Sequence, residues 1–202
     1  MFSCSMAVAD DAEIILTSTG SISRPTIVSF FERTRLIGEE AAPQIMSENT
    51  VSYLNLLVGR SLDELKGKGF FNHLKAKFTE DECGKVSASV NYCDEQQSFP
   101  MTSVLAIFIA HLYNRVSEVI GESIRVSFCL PPNCPLSVKR SFLDACSIAD
   151  INKDTVTAVH QDDALVACYW RKLAGIRPAD RTILEVTIMY RMYMYVRIYA
   201  AK

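Results

Sequence analysis

Residues 100–132 read PMTSVLAIFIAHLYNRVSEVIGESIRVSFCLPP and place a long amphipathic helix directly before a short apolar strand. The apolar side chains of the helical part recur at three- and four-residue steps and form one stripe: Leu105, Phe108, Ile109, Leu112, Val116, Val119 and Ile120. Pro100 precedes this helix and Gly121 ends it. The following run, residues 124–130, is apolar almost throughout and is closed by two prolines, which is typical of a buried strand.

Helices and strands continue to alternate towards the C-terminus. Pro135 begins a second helix that includes Ile148, and residues 155–159 are predicted to form a strand. A helix over residues 163–173 and a strand over residues 182–188 follow, with two-residue alternation beyond them over residues 192–199. The pattern predicts an α/β protein whose mixed β-sheet is flanked by helices.

The N-terminal part is richer in strands. Residues 4–8 and 12–17 are predicted to form a β-hairpin, and two further strands are expected at residues 26–30 and 35–38. Residues 50–58 have helical spacing, with Asn49 or Thr50 as the cap and Gly59 as the end. Residues 66–82 are polar and are predicted to form a loop, and residues 86–92 return to the two-residue period of a strand.

Composition and charge exclude several classes of function. The 202 residues carry a formal net charge of −2, which gives no attraction to nucleic acid. A local lysine cluster is followed directly by acidic residues and is predicted to be a solvated surface: Lys66, Lys68, Lys75 and Lys77, then Glu80, Asp81 and Glu82. The N-terminus lacks the features of a secretory signal. Charged residues interrupt the apolar stretch 183–201, so strands are predicted there, with a membrane tail as a weaker alternative, and we expect a cytoplasmic protein.

The cysteines and histidines do not form a recognisable metal or nucleophile motif. Seven scattered cysteines have no metal-binding spacing, and reduced, mostly buried thiols fit them best. A zinc site is a weaker alternative, as is a nucleophile built from Cys134 and one of His73, His111 or His160.

Several short strings, in order, resemble one known family. They include Arg24-Pro25-Thr26-Ile27-Val28-Ser29-Phe30, the Gly59-Arg60 pair after a helix, and Val126-Ser127-Phe128-Cys129-Leu130-Pro131. The chain resembles, over about residues 3–175, the front lobe of the nucleotide-binding domain of the heat-shock chaperones of the seventy-kilodalton class and their larger exchange-factor relatives. The resemblance implies an actin-like ATPase (ribonuclease H-like) lobe, here a single incomplete lobe. It implies residues 1–188 as this lobe, with about residues 38–100 as a peripheral subdomain-like insertion and residues 189–202 as a divergent β-like tail.

The resemblance also implies a nucleotide site whose main positions are altered. The position that matches the family's catalytic lysine is Asn55, and the family's Asn-Glu pair matches His160-Gln161. The first glycine-rich phosphate turn would precede Ser3, and the second would occupy the region of Thr187 and Met189, where no glycine stands. Without a functional role, Asn55 would be a helix-surface amide and Gln161 a strand-end amide.

These substitutions favour a truncated chaperone-like protein with a degenerate ATP site that acts by protein contact. No cofactor or metal is then expected, and an uncovered lobe face favours a protein partner or self-association. One alternative is an ATP-binding, ATP-hydrolysing chaperone domain that assists protein folding and uses ATP and Mg²⁺. A second alternative is a decayed gene fragment without function. A sugar kinase of the same fold is a weaker one.

Overall fold

The protein is described by a computed structural model over residues 3–4, 6–8, 13–15, 19–21, 23–66, 71, 74–120, 124–131, 134–161 and 196–200. It begins with short antiparallel pairs. Strand β1 (Ser3–Cys4) pairs with β4 (Arg24–Pro25), and β2 (Met6–Val8) pairs with β3 (Glu13–Ile15). The predicted N-terminal hairpin is therefore confirmed.

A three-stranded antiparallel sheet follows. Its order is β6 (Thr34–Ile37), β5 (Ile27–Phe31) and β7 (Thr50–Ser52), so both strands predicted for this region are confirmed. The predicted helix over residues 50–58 is wrong in its first half. Residues 50–52 instead pair with β5, because the hydrogen bonds and burial gained against that strand outweigh a helical spacing read from only a few apolar residues. The helix that remains is α1 (Leu54–Leu57), preceded by Tyr53 at φ 57°.

The region predicted as a polar loop contains regular structure. Helix α2 (Leu62–Lys66) leads towards a second antiparallel sheet of order β10 (Glu95–Pro100), β9 (Val86–Tyr92) and β8 (Lys77–Glu80). Strand β9 was predicted, whereas β8 lies inside the predicted loop and corrects it. Polar residues form strand β8 here because Phe78 pairs opposite Ala88 of the buried central strand.

The late part of the chain has the predicted alternation. Helix α3 (Met101–Ile120) precedes β11 (Ile124–Leu130), and α4 (Leu136–Ile148) precedes β12 (Val156–His160). Strand β11 runs parallel to β12 and antiparallel to β13 (Val196–Ala200), which confirms the mixed sheet. The helix predicted over residues 163–173 and the strand over 182–188 lie outside the described residues.

Helix α3 lies at the centre of the core. Phe108 and Leu112 on this helix are buried together with Phe30 of β5, Phe128 of β11 and Phe142 of α4. The rings of Phe128 and Phe142 lie 5.3 Å apart, so α4 packs directly on the mixed sheet. The predicted apolar stripe is confirmed as far as Val116. It is wrong at Val119, which is 66% exposed near the end of the helix, beyond the core cluster.

Candidate nucleotide site

The loop that follows α1, the helix that carries Asn55, is held against the start of α4. Gly59, at φ 71°, ends this loop where α1 has finished. A Cβ atom at Gly59 would lie 2.7 Å from the Cα atom of Val138 and 2.8 Å from the carbonyl oxygen of Ser137. Glycine is therefore required twice, for the left-handed backbone and for the close approach of two backbone segments.

Asn55 points into the protein and not towards solvent. Asn55 is only 6% exposed, and its side-chain Oδ1 atom has no hydrogen-bond partner among the described residues. The expectation of a helix-surface amide is therefore wrong, because the four-residue helix α1 packs on α3 and buries this position. An unsatisfied buried acceptor costs about 1–3 kcal/mol.

Gln161 lies at the edge of the mixed sheet. Strands β11 and β12 are parallel with Leu130 opposite His160, so Pro131 and Gln161 leave the sheet side by side at its carboxyl edge. Ligands of open α/β sheets bind at this edge. Gln161 is half-buried and has a helical backbone conformation directly after β12, so it lies one residue beyond the strand end that was predicted for it. Thr187 and Met189 lie outside the described residues.

Two basic residues lie near the start of α4. Arg60 is ion-paired with Glu64, and both Arg60 and Lys139 act on the thiol of Cys134. Burial raises the pKa of that thiol, and the two cations offset the rise only in part. A thiol that stays protonated at neutral pH is a weak nucleophile, so the structure gives no support to the Cys134 alternative.

The histidines of that alternative are dispersed. His111 lies on α3 in a pocket with Arg24, His160 ends β12, and His73 lies outside the described residues. Within the described ranges no group of three His, Cys, Asp or Glu side chains is arranged to hold a metal ion.

Two features of the region could not be predicted from spacing. The contact of Gly59 with α4 joins residues that are far apart in sequence, and the glycine at position 59 is its only signal in the local sequence. The pocket around Arg24 and His111 likewise combines distant segments.

Most of the strands and helices described above lie within the part of the chain that matches a known protein family. The family profile described as Hsp70 protein matches residues 2–159, which include β1 to β12 apart from the last residue of β12. The chain belongs to the Hsp70 family. The Hsp70 family carries the actin-like ATPase fold, and the mixed α/β arrangement described above is part of one lobe of it. The predicted fold class is confirmed.

Similar Hsp70-family proteins are considerably longer. The chain is 28% identical over 143 residues to a heat shock protein homolog of Lachancea kluyveri, covering 69% of this chain and 21% of that protein. It is 27% identical over 157 residues to heat shock 70 kDa protein 16 of Arabidopsis thaliana, covering 73% and 20%. It is 28% identical over 188 residues to heat shock protein hsp88 of Neurospora crassa, covering 90% and 26%. The chain therefore spans between 20% and 26% of the length of these relatives.

Two of the four residues predicted to match the family's site lie among the described residues. Asn55 lies on α1 and Gln161 lies at the carboxyl end of β12, and no described hydrogen bond joins them.

In the part of the chain that the structure describes, no helix is long and apolar enough to cross a membrane.

Proposed function

We propose that this chain is a heat-shock chaperone-like protein with a degenerate ATP site, and that it acts by contact with other proteins. The observation that carries the proposal is Asn55, a neutral and buried amide at the position that matches the family's catalytic lysine. The lobe is proposed to comprise residues 1–188, with residues 38–100 as its peripheral part and 189–202 as a divergent tail. Location in the cytoplasm is part of the same proposal.

The residues present do not fit ATP and Mg²⁺. A transferred phosphoryl group is stabilised by a nearby positive charge, which the Asn55 amide lacks. Gln161 offers no carboxylate to order the water shell of Mg²⁺. The stretch 187–191 contains no glycine that would let backbone amides approach a phosphate.

Direct binding measurements test the proposal. The purified chain is titrated with ATP and Mg²⁺ in a calorimeter, and phosphate release is followed in the same buffer. An ATP-hydrolysing relative of the family serves as the positive control. We expect neither binding heat nor release. Micromolar affinity or clear turnover would favour the ATP-hydrolysing alternative and overturn the proposal.

A lysine restored at Asn55 tests whether the rest of the site is intact. We expect Asn55→Lys to remain without activity, because Gln161 and the 187–191 stretch are unchanged. We also expect a loss of about 3–5 kcal/mol in the free energy of unfolding, the range seen for an uncompensated buried charge. Asn114→Lys is the matched control, since Asn114 is exposed on α3 and should tolerate the same change. ATP hydrolysis by Asn55→Lys would show a competent site and contradict the proposal.

Protein contact is supported by the surface of α4. Leu136 and Leu143 are seven residues apart on one face of this helix and are 60% and 36% exposed. Exposed apolar side chains of this kind suit contact with a partially unfolded protein.

An aggregation assay tests this contact. The chain is added to thermally denaturing citrate synthase, and light scattering is followed with and without ATP. We expect suppression of scattering that does not depend on ATP and that falls in the double variant Leu136→Ser, Leu143→Ser. Suppression that requires ATP, or its complete absence, would count against the proposal.

A further inference from the structure

A small pocket lies between the strand region around β4 and β6 and one face of α3. Its volume is about 140 Å³. Phe108 and Leu112 contribute buried apolar surface, and Arg24, His111 and Arg115 contribute polar groups. The pocket is formed by side chains remote from Asn55 and Gln161 in sequence.

Arg24 is the unusual member of this pocket. The residue is only 8% exposed, and its side chain makes no hydrogen bond or ion pair with any described residue. Arg24 is one of the residues that line the pocket. A buried guanidinium is stabilised when its N–H groups donate hydrogen bonds to a negatively charged acceptor. Glu39 and Glu40 line the same pocket, but no described hydrogen bond or ion pair joins either of them to Arg24, so the guanidinium keeps donors for a further partner.

The neighbouring groups limit the kind of partner. Burial, followed by the charge of Arg24, lowers the pKa of His111, so its imidazole is neutral at pH 7 and does not repel a cation or attract an anion strongly. Arg115 is half-exposed and donates to Glu118 at 3.2 Å. It adds a second positive charge at the mouth of the pocket.

The rim also carries negative charge. Glu39 accepts a hydrogen bond from the hydroxyl of Thr19 at 2.9 Å, and Glu40 is exposed beside it. Two carboxylates in the lining repel a polyanion such as a nucleotide more strongly than a single negative charge, which Arg24 can pair with directly. The apolar surface of Phe108 and Leu112 suits a short hydrocarbon stem.

We propose that this pocket binds one carboxylate group on a short apolar stem, with Arg24 donating to both of its oxygens. Arg115 provides a second donor at the mouth. A planar guanidinium and a carboxylate match in this two-bond geometry, which a spherical anion cannot reproduce. The carboxylate belongs either to a free small molecule or to an acidic side chain of a partner protein.

Titrations at constant ionic strength test the proposal and distinguish the two sources. Sodium propionate is the free probe, acetyl-Gly-Asp-Gly-amide is the peptide probe, and acetyl-Gly-Asn-Gly-amide is its uncharged control. Binding is followed through the NMR signals of the His111 imidazole and the Arg24 amide. A saturable shift with propionate supports a small-molecule ligand, and one with the Asp peptide alone supports a partner side chain. The absence of any saturable shift, or an equal response to inorganic phosphate or chloride, overturns the proposal.

Variants link the response to Arg24. Arg24→Gln should weaken binding about tenfold or more, because it removes the charge-assisted pair of hydrogen bonds. Arg115→Gln changes a half-exposed residue, so the fold should survive, and it should weaken binding by a smaller factor. Arg33→Gln is the control, since Arg33 is 81% exposed and paired with Asp94 on another surface. If both variants fold and bind the probe as tightly as the parent chain, the assignment is refuted. If Arg24→Gln does not fold, unchanged affinity in Arg115→Gln refutes it.

Discussion

Replacing Gly59 with alanine should destabilise the protein more than the same change at any open glycine. Gly59 has φ 71°, and its new Cβ atom would lie 2.7 Å from the Cα atom of Val138 and 2.9 Å from the carbonyl carbon of Ser137. Both neighbours are backbone atoms at the start of α4, so they cannot rotate away as a flexible side chain would. The loop after α1 and the first turn of α4 must move apart.

The structure supplies a matched control for the backbone strain. Gly84, in the turn between β8 and β9, also has φ 71°, but a Cβ atom there would meet nothing within 4 Å. Gly84→Ala should therefore carry only the cost of a left-handed alanine, about 1–2 kcal/mol. Gly59→Ala should carry this cost and a further ~1–3 kcal/mol for the overpacked contact. The difference between the two variants isolates the contact between the loop and α4.

Urea unfolding, followed by circular dichroism, measures both free energies of unfolding under the same conditions. We expect Gly59→Ala to shift the midpoint well below that of Gly84→Ala with a similar slope. Equal losses in the two variants would refute the reasoning, because they would mean that the loop does not approach α4 as closely as described.

Three other changes have definite expected outcomes. Phe30→Ala should lower the free energy of unfolding by about 3–5 kcal/mol, as measured in urea, because Phe30 is fully buried, whereas Phe31→Ala at a 44% exposed position should cost much less. Burial raises the pKa of Cys146 from 9.0 to about 12, so the thiol loses its proton more readily in the unfolded chain than in the folded one. The free energy of unfolding, measured in urea, should therefore fall between pH 9 and pH 12, and it should fall by less in Cys146→Ala than in the parent chain. Burial lowers the pKa of His111 below 6.5, so the imidazole gains its proton more readily in the unfolded chain than in the folded one. The free energy of unfolding, measured in urea, should therefore fall as the pH drops below 6.5, and the contribution of His111 to that fall should be absent in His111→Gln.

The elements that the sequence predicts well have strong periodicity and long runs. The apolar stripe on α3 fixes that helix because a twenty-residue segment repeats the same spacing several times. The polar strand β10 (EQQSFP) has no such pattern. It forms because Cys93 and Asp94 both adopt positive φ, of 57° and 65°, and turn the chain back onto β9. A turn of this kind usually contains glycine or asparagine, so its signal in the sequence is weak.

The candidate site was only partly predictable for a related reason. The residues at positions 55 and 161 are neutral amides and can be read directly from the sequence, whereas their match to charged positions of the family remains a prediction from the resemblance. The burial of Asn55 depends on how α1 packs on α3, and the place of Arg24 in the pocket depends on a cavity between distant segments. Neither depends on local spacing, so neither could be derived from the sequence.

The pairing of β11 with both β12 and β13 has a consequence for the order of events during synthesis. The β8–β9–β10 meander joins neighbouring segments and can form soon after they leave the ribosome. Val126, in contrast, pairs with Ile198, roughly seventy residues later, and such distant contacts form slowly. The pairing of β11 with β13 can therefore form only after residues 196–200 have been synthesised, well after the local meander is complete.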